Sequence, residues 1–227
     1  MKTIKYSSAI VLIGLIYFMV SCKKEDTKGI SKVTIPPTIT ITGQAQVVLA
    51  PGQQYVDSGA TVKNGTLVNT INTLLNTVPG SYMVKYIAQN ADGATVTAIR
   101  KIIVVELGDP SLDLSGDYIG GRGTTVGGPV TLTKIATGVY DVSDYYGEFY
   151  EIFRGYGSAY RAPGILTYKG NNKAIMPVNT PTAFGEVHIK GGTASVGTGS
   201  NGKISITYEL QFSDGSGFVA PFFLNKQ

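Results

Sequence analysis

From residue 203 to 212 the side chains alternate without a break. Ile204, Ile206, Tyr208, Leu210 and Phe212 are apolar, while Lys203, Ser205, Thr207, Glu209 and Gln211 between them are polar. Strand side chains change face at every residue, so this pattern yields one dry and one wet face only if the segment is extended. A strand wet on one side belongs to an antiparallel sheet rather than to the buried parallel sheet of an α/β enzyme. Short runs of the same character recur along the chain. Residues 38–42, 46–50, 66–72, 81–89 and 94–105 read as strands, punctuated by Pro51-Gly52, Asn64-Gly65, Pro79-Gly80 and Asp92-Gly93, all turn formers. Past Gly108-Asp109-Pro110 the turns become denser, with 21 of the 29 glycines in residues 108–227. Strands are expected there at 117–121, 129–135, 139–143, 149–154, 164–168, 174–178, 185–190, 193–196, 203–212 and 218–224.

The chain therefore reads as all-β, with a sandwich over residues 38–107 and a Gly-rich antiparallel barrel or sandwich over residues 108–227. At 43% apolar and 15% charged it can bury two cores. One cysteine and one histidine leave no material for a disulfide or a structural zinc cage, and the composition points to no cofactor. Net charge is +4, or +2 once Lys2 and Lys5 of the leader are removed. The balance is even along the chain, which excludes the basic face of a nucleic-acid binder.

Lys2 and Lys5 precede an apolar run over residues 9–20, the charged and hydrophobic regions of a secretory signal. As a helix the run would reach about 18 Å, short of the roughly 30 Å hydrocarbon core. It ends in Met19-Val20-Ser21-Cys22, which resembles a lipobox and implies removal of residues 1–21 and lipidation of Cys22. Several acyl chains, at about 0.8 kcal/mol per buried methylene, would hold the protein stably on a bilayer. Residues 22–37 lack hydrophobic periodicity and suit a solvated tether. Ser21-Cys22-Lys23-Lys24-Glu25-Asp26 resembles the starts of Bacteroidetes lipoproteins, in which lysine followed by acids just past the cysteine is a surface-export signal. That resemblance implies an outer-membrane anchor facing the cell exterior.

Gly52-Gln53-Gln54-Tyr55-Val56-Asp57-Ser58-Gly59-Ala60, then Val78-Pro79-Gly80-Ser81-Tyr82-Met83-Val84-Lys85-Tyr86 and a closing Arg100-Lys101-Ile102-Ile103-Val104, resemble the bacterial immunoglobulin-like repeats of secreted and surface proteins. The resemblance implies structural roles: Asp57 in a turn rather than on a cation, and Tyr82, Val84 and Tyr86 on a core strand. Leu114-Ser115-Gly116-Asp117-Tyr118-Ile119-Gly120 is faintly similar to the start of lipocalin-type barrels, without their tryptophan plug. The whole layout resembles two-domain lipoproteins of unknown function that accompany polysaccharide-uptake loci in Bacteroidetes.

Gly197-Thr198-Gly199-Ser200-Asn201-Gly202-Lys203 matches a phosphate-binding glycine pattern literally. A phosphate cradle needs a helix after the glycines, whereas Lys203 opens the clearest strand, so a hairpin loop is expected. His188 is expected outward between charged neighbours. Residues 140–168 hold seven of the fourteen tyrosines, with Phe149 and Phe153 among them. If that segment is extended, adjacent rings point to opposite faces, and some lie at the surface or line a cavity. Tyr145, Tyr146, Phe149, Tyr150, Arg154, Tyr156, Tyr160 and Arg161 are the candidate ligand-binding residues. A tyrosine face suits the C–H groups of a sugar ring, while arginine fixes its polar rim; the alternative is that the rings fill a barrel core. Asp144, Glu148 and Glu151 are the acids from which a glycosidase pair would have to come. The expected function is a non-catalytic, lipid-anchored surface protein holding an extracellular glycan. An accessory subunit packed on an outer-membrane transporter or partner lipoprotein is the alternative, with glycoside hydrolysis behind both.

Overall fold

The structure is a computed structural model that describes residues 34–213 and 216–227. The leader, Cys22 and most of the tether lie outside the described residues. From Pro36 to Gln227 the chain forms one compact unit.

The first six strands are β1 (Thr38–Ile41), β2 (Gln46–Leu49), β3 (Ala60–Lys63), β4 (Thr66–Asn72), β5 (Gly80–Gln89) and β6 (Thr95–Val104). They make a four-stranded sheet in the order β2-β6-β5-β4 and a two-stranded sheet β1-β3. β2 runs parallel to β6, with Gln46 opposite Lys101 and Leu49 opposite Val104. The alternation read in β5 holds: Val84, Tyr86 and Ala88 are buried, and Val84 and Tyr86 share a core with Leu49, Ile102 and Val104. Asp57 does make the turn, accepting the Gly59 N–H at 3.0 Å. It also does more. Arg100, 1% exposed, pairs with its Oδ1 and donates to the carbonyls of Gln44 and Thr42, while Tyr86 Oη donates to Asp57 at 2.7 Å. Partial burial works to raise the Asp57 carboxyl, but the hydrogen bonds from Tyr86 and Gly59 and the Arg100 charge outweigh it and hold it below its usual value.

Ten strands follow: β7 (Gly116–Arg122), β8 (Thr125–Ala136), β9 (Val139–Val142), β10 (Gly164–Gly170), β11 (Lys173–Ile175), β12 (Thr180–Thr182), β13 (Gly185–Ile189), β14 (Ala194–Thr198), β15 (Ile204–Phe212) and β16 (Val219–Lys226). Eight of them close an up-and-down barrel, β7-β8-β9-β10-β11-β14-β15-β16, because β16 pairs back onto β7 with Leu224 opposite Gly120. Of the barrel and the sandwich, the chain adopts the barrel. Closure removes exposed edges, and the interior fills with Tyr118, Leu132, Tyr140, Leu166, Ile206, Leu210 and Phe222. The glycine-rich loop after β14 is a hairpin turn in which Gly199 N–H donates to Lys203 O at 2.8 Å.

β15 is longer than the wall it belongs to. Its first half pairs with β14, from Ile204 opposite Thr198. Its last residues pair with β13, Leu210 to Ile189 and Phe212 to Val187. The β12–β13 hairpin is thereby held as a flap beyond the barrel rim.

The two sheet systems meet through a third apolar cluster, in which Ile103 and Val105 bury against Val139 and Ile165. The connecting segment lies on the barrel backbone: Gly108 N–H donates to Thr137 O at 2.8 Å and Asp109 N–H to Tyr168 O at 2.7 Å. A Cβ at Gly108 would stand 2.4 Å from Gly138 O, so the approach requires glycine.

Candidate functional site

The expected strand over residues 149–154 is not one; Phe149–Phe153 forms a π-helical turn. The cause lies just upstream. Asp144, fully buried, accepts N–H groups from Tyr146 (3.0 Å), Glu148 (2.7 Å) and Ala162 (2.7 Å), which folds the β9–β10 connection back on itself. Burial pushes the Asp144 carboxyl up, against the pull of those three donors. Gly147 (φ 62°) and Glu148 (φ 59°) then take the left-handed conformation in succession, and an extended run cannot pass through them. The loop backbone rests directly on β7 and β8. A Cβ would lie 2.2 Å from Gly121 N if placed on Gly147, and 2.0 Å from Gly147 O if placed on Gly127. The glycines of the β7–β8 hairpin are the trough that receives the loop.

This geometry sorts the candidate rings. Tyr145 and Tyr146 are fully buried, which corrects the expectation that they touch a ligand. Tyr145 Oη donates to Ile165 O at 2.8 Å, Tyr208 Oη donates to Tyr145 O at 2.7 Å, and the two rings meet edge to face at 5.7 Å. Tyr146 packs on Phe212 at 6.0 Å and Phe222 at 5.6 Å, with its hydroxyl 3.0 Å from Thr182 Oγ1. Together these tyrosines fill one part of the barrel core. Phe149 is also corrected: it is buried, stacked on Phe153 at 5.2 Å, with the guanidinium carbons of Arg122 and Arg154 at 5.4 and 5.5 Å from its ring. Phe153 itself stays exposed, as does its neighbour Ile152.

Tyr150, Tyr156 and Tyr160 remain at the rim. Tyr150 stacks on Tyr156 at 6.2 Å and leans on Phe184 at 4.8 Å; Tyr160 lies 5.2 Å from both Tyr156 and Phe184. Phe184 is carried there by the β12–β13 flap. Phe212 and Phe218, 5.4 Å apart, complete a cleft of about 270 Å³ lined by Tyr150, Phe184, Phe212, Ser216 and Phe218. Arg122 Nη1 donates to Tyr150 Oη at 3.1 Å, and its guanidinium carbon lies 5.2 Å from the Phe218 ring. Phe218 of the cleft is 43% exposed and Tyr156, stacked on Tyr150, 51%, so each presents ring surface to solvent. A larger depression of about 430 Å³ on the outer barrel wall is crossed by the Lys190–Glu209 ion pair at 3.4 Å.

The acids are turned away from the cleft. Arg161, a candidate ligand residue, instead clamps two of them: Nη2 lies 3.1 Å from Glu148 Oε1, and Nε pairs with Glu151. Glu148 is 1% exposed and its Oε2 has no hydrogen-bond partner. Burial pushes its carboxyl up to about 7, with the negative charge of Asp144 adding to the rise and Arg161 opposing it. Of the three acids only Glu151 reaches solvent, so these three do not supply a pair of open carboxylates. Sequence reasoning missed Phe184, Phe218 and Arg122 as rim residues. Arg122 reaches the rim through barrel closure, which sets it opposite Phe222 of β16, a neighbour that no local pattern announces.

The architecture defined here is an immunoglobulin-like module leading into an up-and-down barrel with an aromatic rim. Family comparison agrees. A model described as a BT2262-like C-terminal domain matches residues 107–222, and one described as the Ig-like domain of bacterial surface proteins matches residues 39–104. The chain belongs to the BT2262-like family. Among solved structures, the lipoprotein BT2262 from Bacteroides thetaiotaomicron is similar at 21% identity, over 84% of this chain and 100% of that one, with a TM-score of 0.40. No curated protein matches the chain.

Proposed function

We propose that this chain is an outer-membrane surface lipoprotein, anchored through Cys22, that binds an extracellular glycan at the barrel rim without transforming it. The observation that carries this reading is the cleft of about 270 Å³ walled by Tyr150, Phe184, Phe212 and Phe218, with Phe218 exposed and the exposed Tyr156 stacked on Tyr150 beside it. Isolated exposed rings are ordinary, but rings converging on a concavity with a few polar groups form a binding site. At about 270 Å³, just under the range of about 300–1,000 Å³ for small-molecule sites, the cleft suits one sugar unit or a chain end. The surface-protein character of the Ig-like match supports the placement outside the cell.

The test is a polysaccharide array with the full chain and with Tyr156→Ala. The expected result is binding that the substitution weakens while the melting temperature holds; no binding to any polysaccharide on a broad array refutes the reading. Retention in the detergent phase, lost in Cys22→Ser, checks the anchor. A second reading rests on exposed Ile152 and Phe153 beside the rim, which fit a protein neighbour. A stable complex with a transporter or partner lipoprotein, without sugar affinity, would favour it.

A further inference from the structure

We infer that the ligand of this rim is an anionic glycan, bearing carboxylate or sulfate groups that Arg122 and Arg154 receive. The inference rests on the glycan-binding reading above and adds the chemical class of the ligand.

The two arginines are held in an unusual state for surface cations. Arg122 lies against Phe149 and Phe218, at 5.4 and 5.2 Å, and donates one hydrogen bond, to Tyr150 Oη. Arg154 is exposed and lies 5.5 Å from the Phe149 ring. Among the described residues neither forms an ion pair with a carboxylate, although the loop that carries Arg154 also holds three acids. Those acids are engaged elsewhere: Asp144 by backbone N–H groups, and Glu148 and Glu151 by Arg161. The acids of the β9–β10 loop are thus taken up by backbone and by Arg161, while the Arg122 and Arg154 guanidiniums keep open donors. Ring contact fixes a guanidinium plane without occupying its N–H groups. Arg122 has five such donors and uses one. A planar fork with open donors matches carboxylate or sulfate oxygens in pairs, which a neutral hydroxyl cannot reproduce. The adjoining aromatic cleft would take the sugar ring that carries the anion.

The test is titration calorimetry of the full chain against matched pairs: uronic-acid polymers with their carboxyl-reduced forms, and sulfated polymers with their desulfated forms. The charged member of at least one pair is expected to bind about tenfold tighter or better, with affinity falling as salt is raised. Which pair responds identifies the carboxylate or the sulfate as the source. Arg122→Gln and Arg154→Gln should each shrink the preference toward parity; Arg154, being exposed, carries the test if the Arg122 variant fails to fold. Equal binding of charged and neutral partners overturns the anionic class while leaving glycan binding intact. A preference that survives both substitutions overturns the assignment to these arginines. No binding to any polymer overturns the underlying reading as well.

Discussion

Replacing Glu148 by glutamine should flatten the pH dependence of stability between about pH 4.5 and 7. In the folded protein this carboxyl holds its proton up to about 7, against 4.5 for the ordinary side chain. The unfolded chain releases the proton first, so this group's contribution to stability is full below 4.5, falls as pH rises through the interval, and is gone above about 7. At about 1.4 kcal/mol for each pH unit the ceiling is about 3 kcal/mol. Water reaching the 41% exposed Arg161 beside it also solvates the ionised carboxylate, which reduces the effect to roughly 1–2 kcal/mol. For a chain of this size that is a melting-temperature decline of roughly 3–6 °C. Asp57, Asp109 and Asp113, whose carboxyls are held below 3.8, lose their contribution only under more acidic conditions and stay outside the window. Asp144 is shifted in the same direction as Glu148, so the variant should keep a shallow slope. Thermal unfolding at half-unit pH steps measures both curves. Parallel curves for wild type and Glu148→Gln would refute the argument.

Four further substitutions test the packing. Tyr146→Ala removes a buried ring and should cost about 3–5 kcal/mol in urea unfolding, whereas Tyr156→Ala should cost under about 1 kcal/mol; similar losses would contradict their assignment to core and rim. Asp57→Asn leaves buried Arg100 without its carboxylate and should destabilise by about 3–5 kcal/mol; a change within error would mean that the pair is dispensable. Gly127→Ala places a methyl group 2.0 Å from Gly147 O and should displace the rim loop, at a cost of about 1–3 kcal/mol or more. Tyrosine fluorescence and urea unfolding both matching wild type would show that the loop does not rest on β8.

The strands were legible because period-two alternation and turn dipeptides are local. The expected strand at 203–212 is β15 (Ile204–Phe212), its apolar residues inward, and that at 66–72 is β4, marked by its flanking turns since all its residues are exposed. The rim was less legible. Tyr145-Tyr146 read as surface rings only under the assumption of extended backbone, which Gly147 and Glu148 break with left-handed dihedrals. Nothing local distinguishes a carboxylate that organises backbone, as Asp144 does, from one in a solvated loop. Phe184 and Phe218 gain their role from strands far away in sequence, β15 holding the flap and β16 closing on β7. Arg100 stood within the closing Ig-like motif, but its burial follows from a partner 43 residues earlier.

The parallel contact between β2 and β6 has a mechanical meaning. Force entering at the N-terminal end and leaving through the barrel would draw these neighbours in opposite directions along their length. Their hydrogen bonds would then yield together in shear rather than one by one, as in a zipper. A bound polymer tugging on the barrel would thus meet its stiffest resistance in the module that touches no ligand.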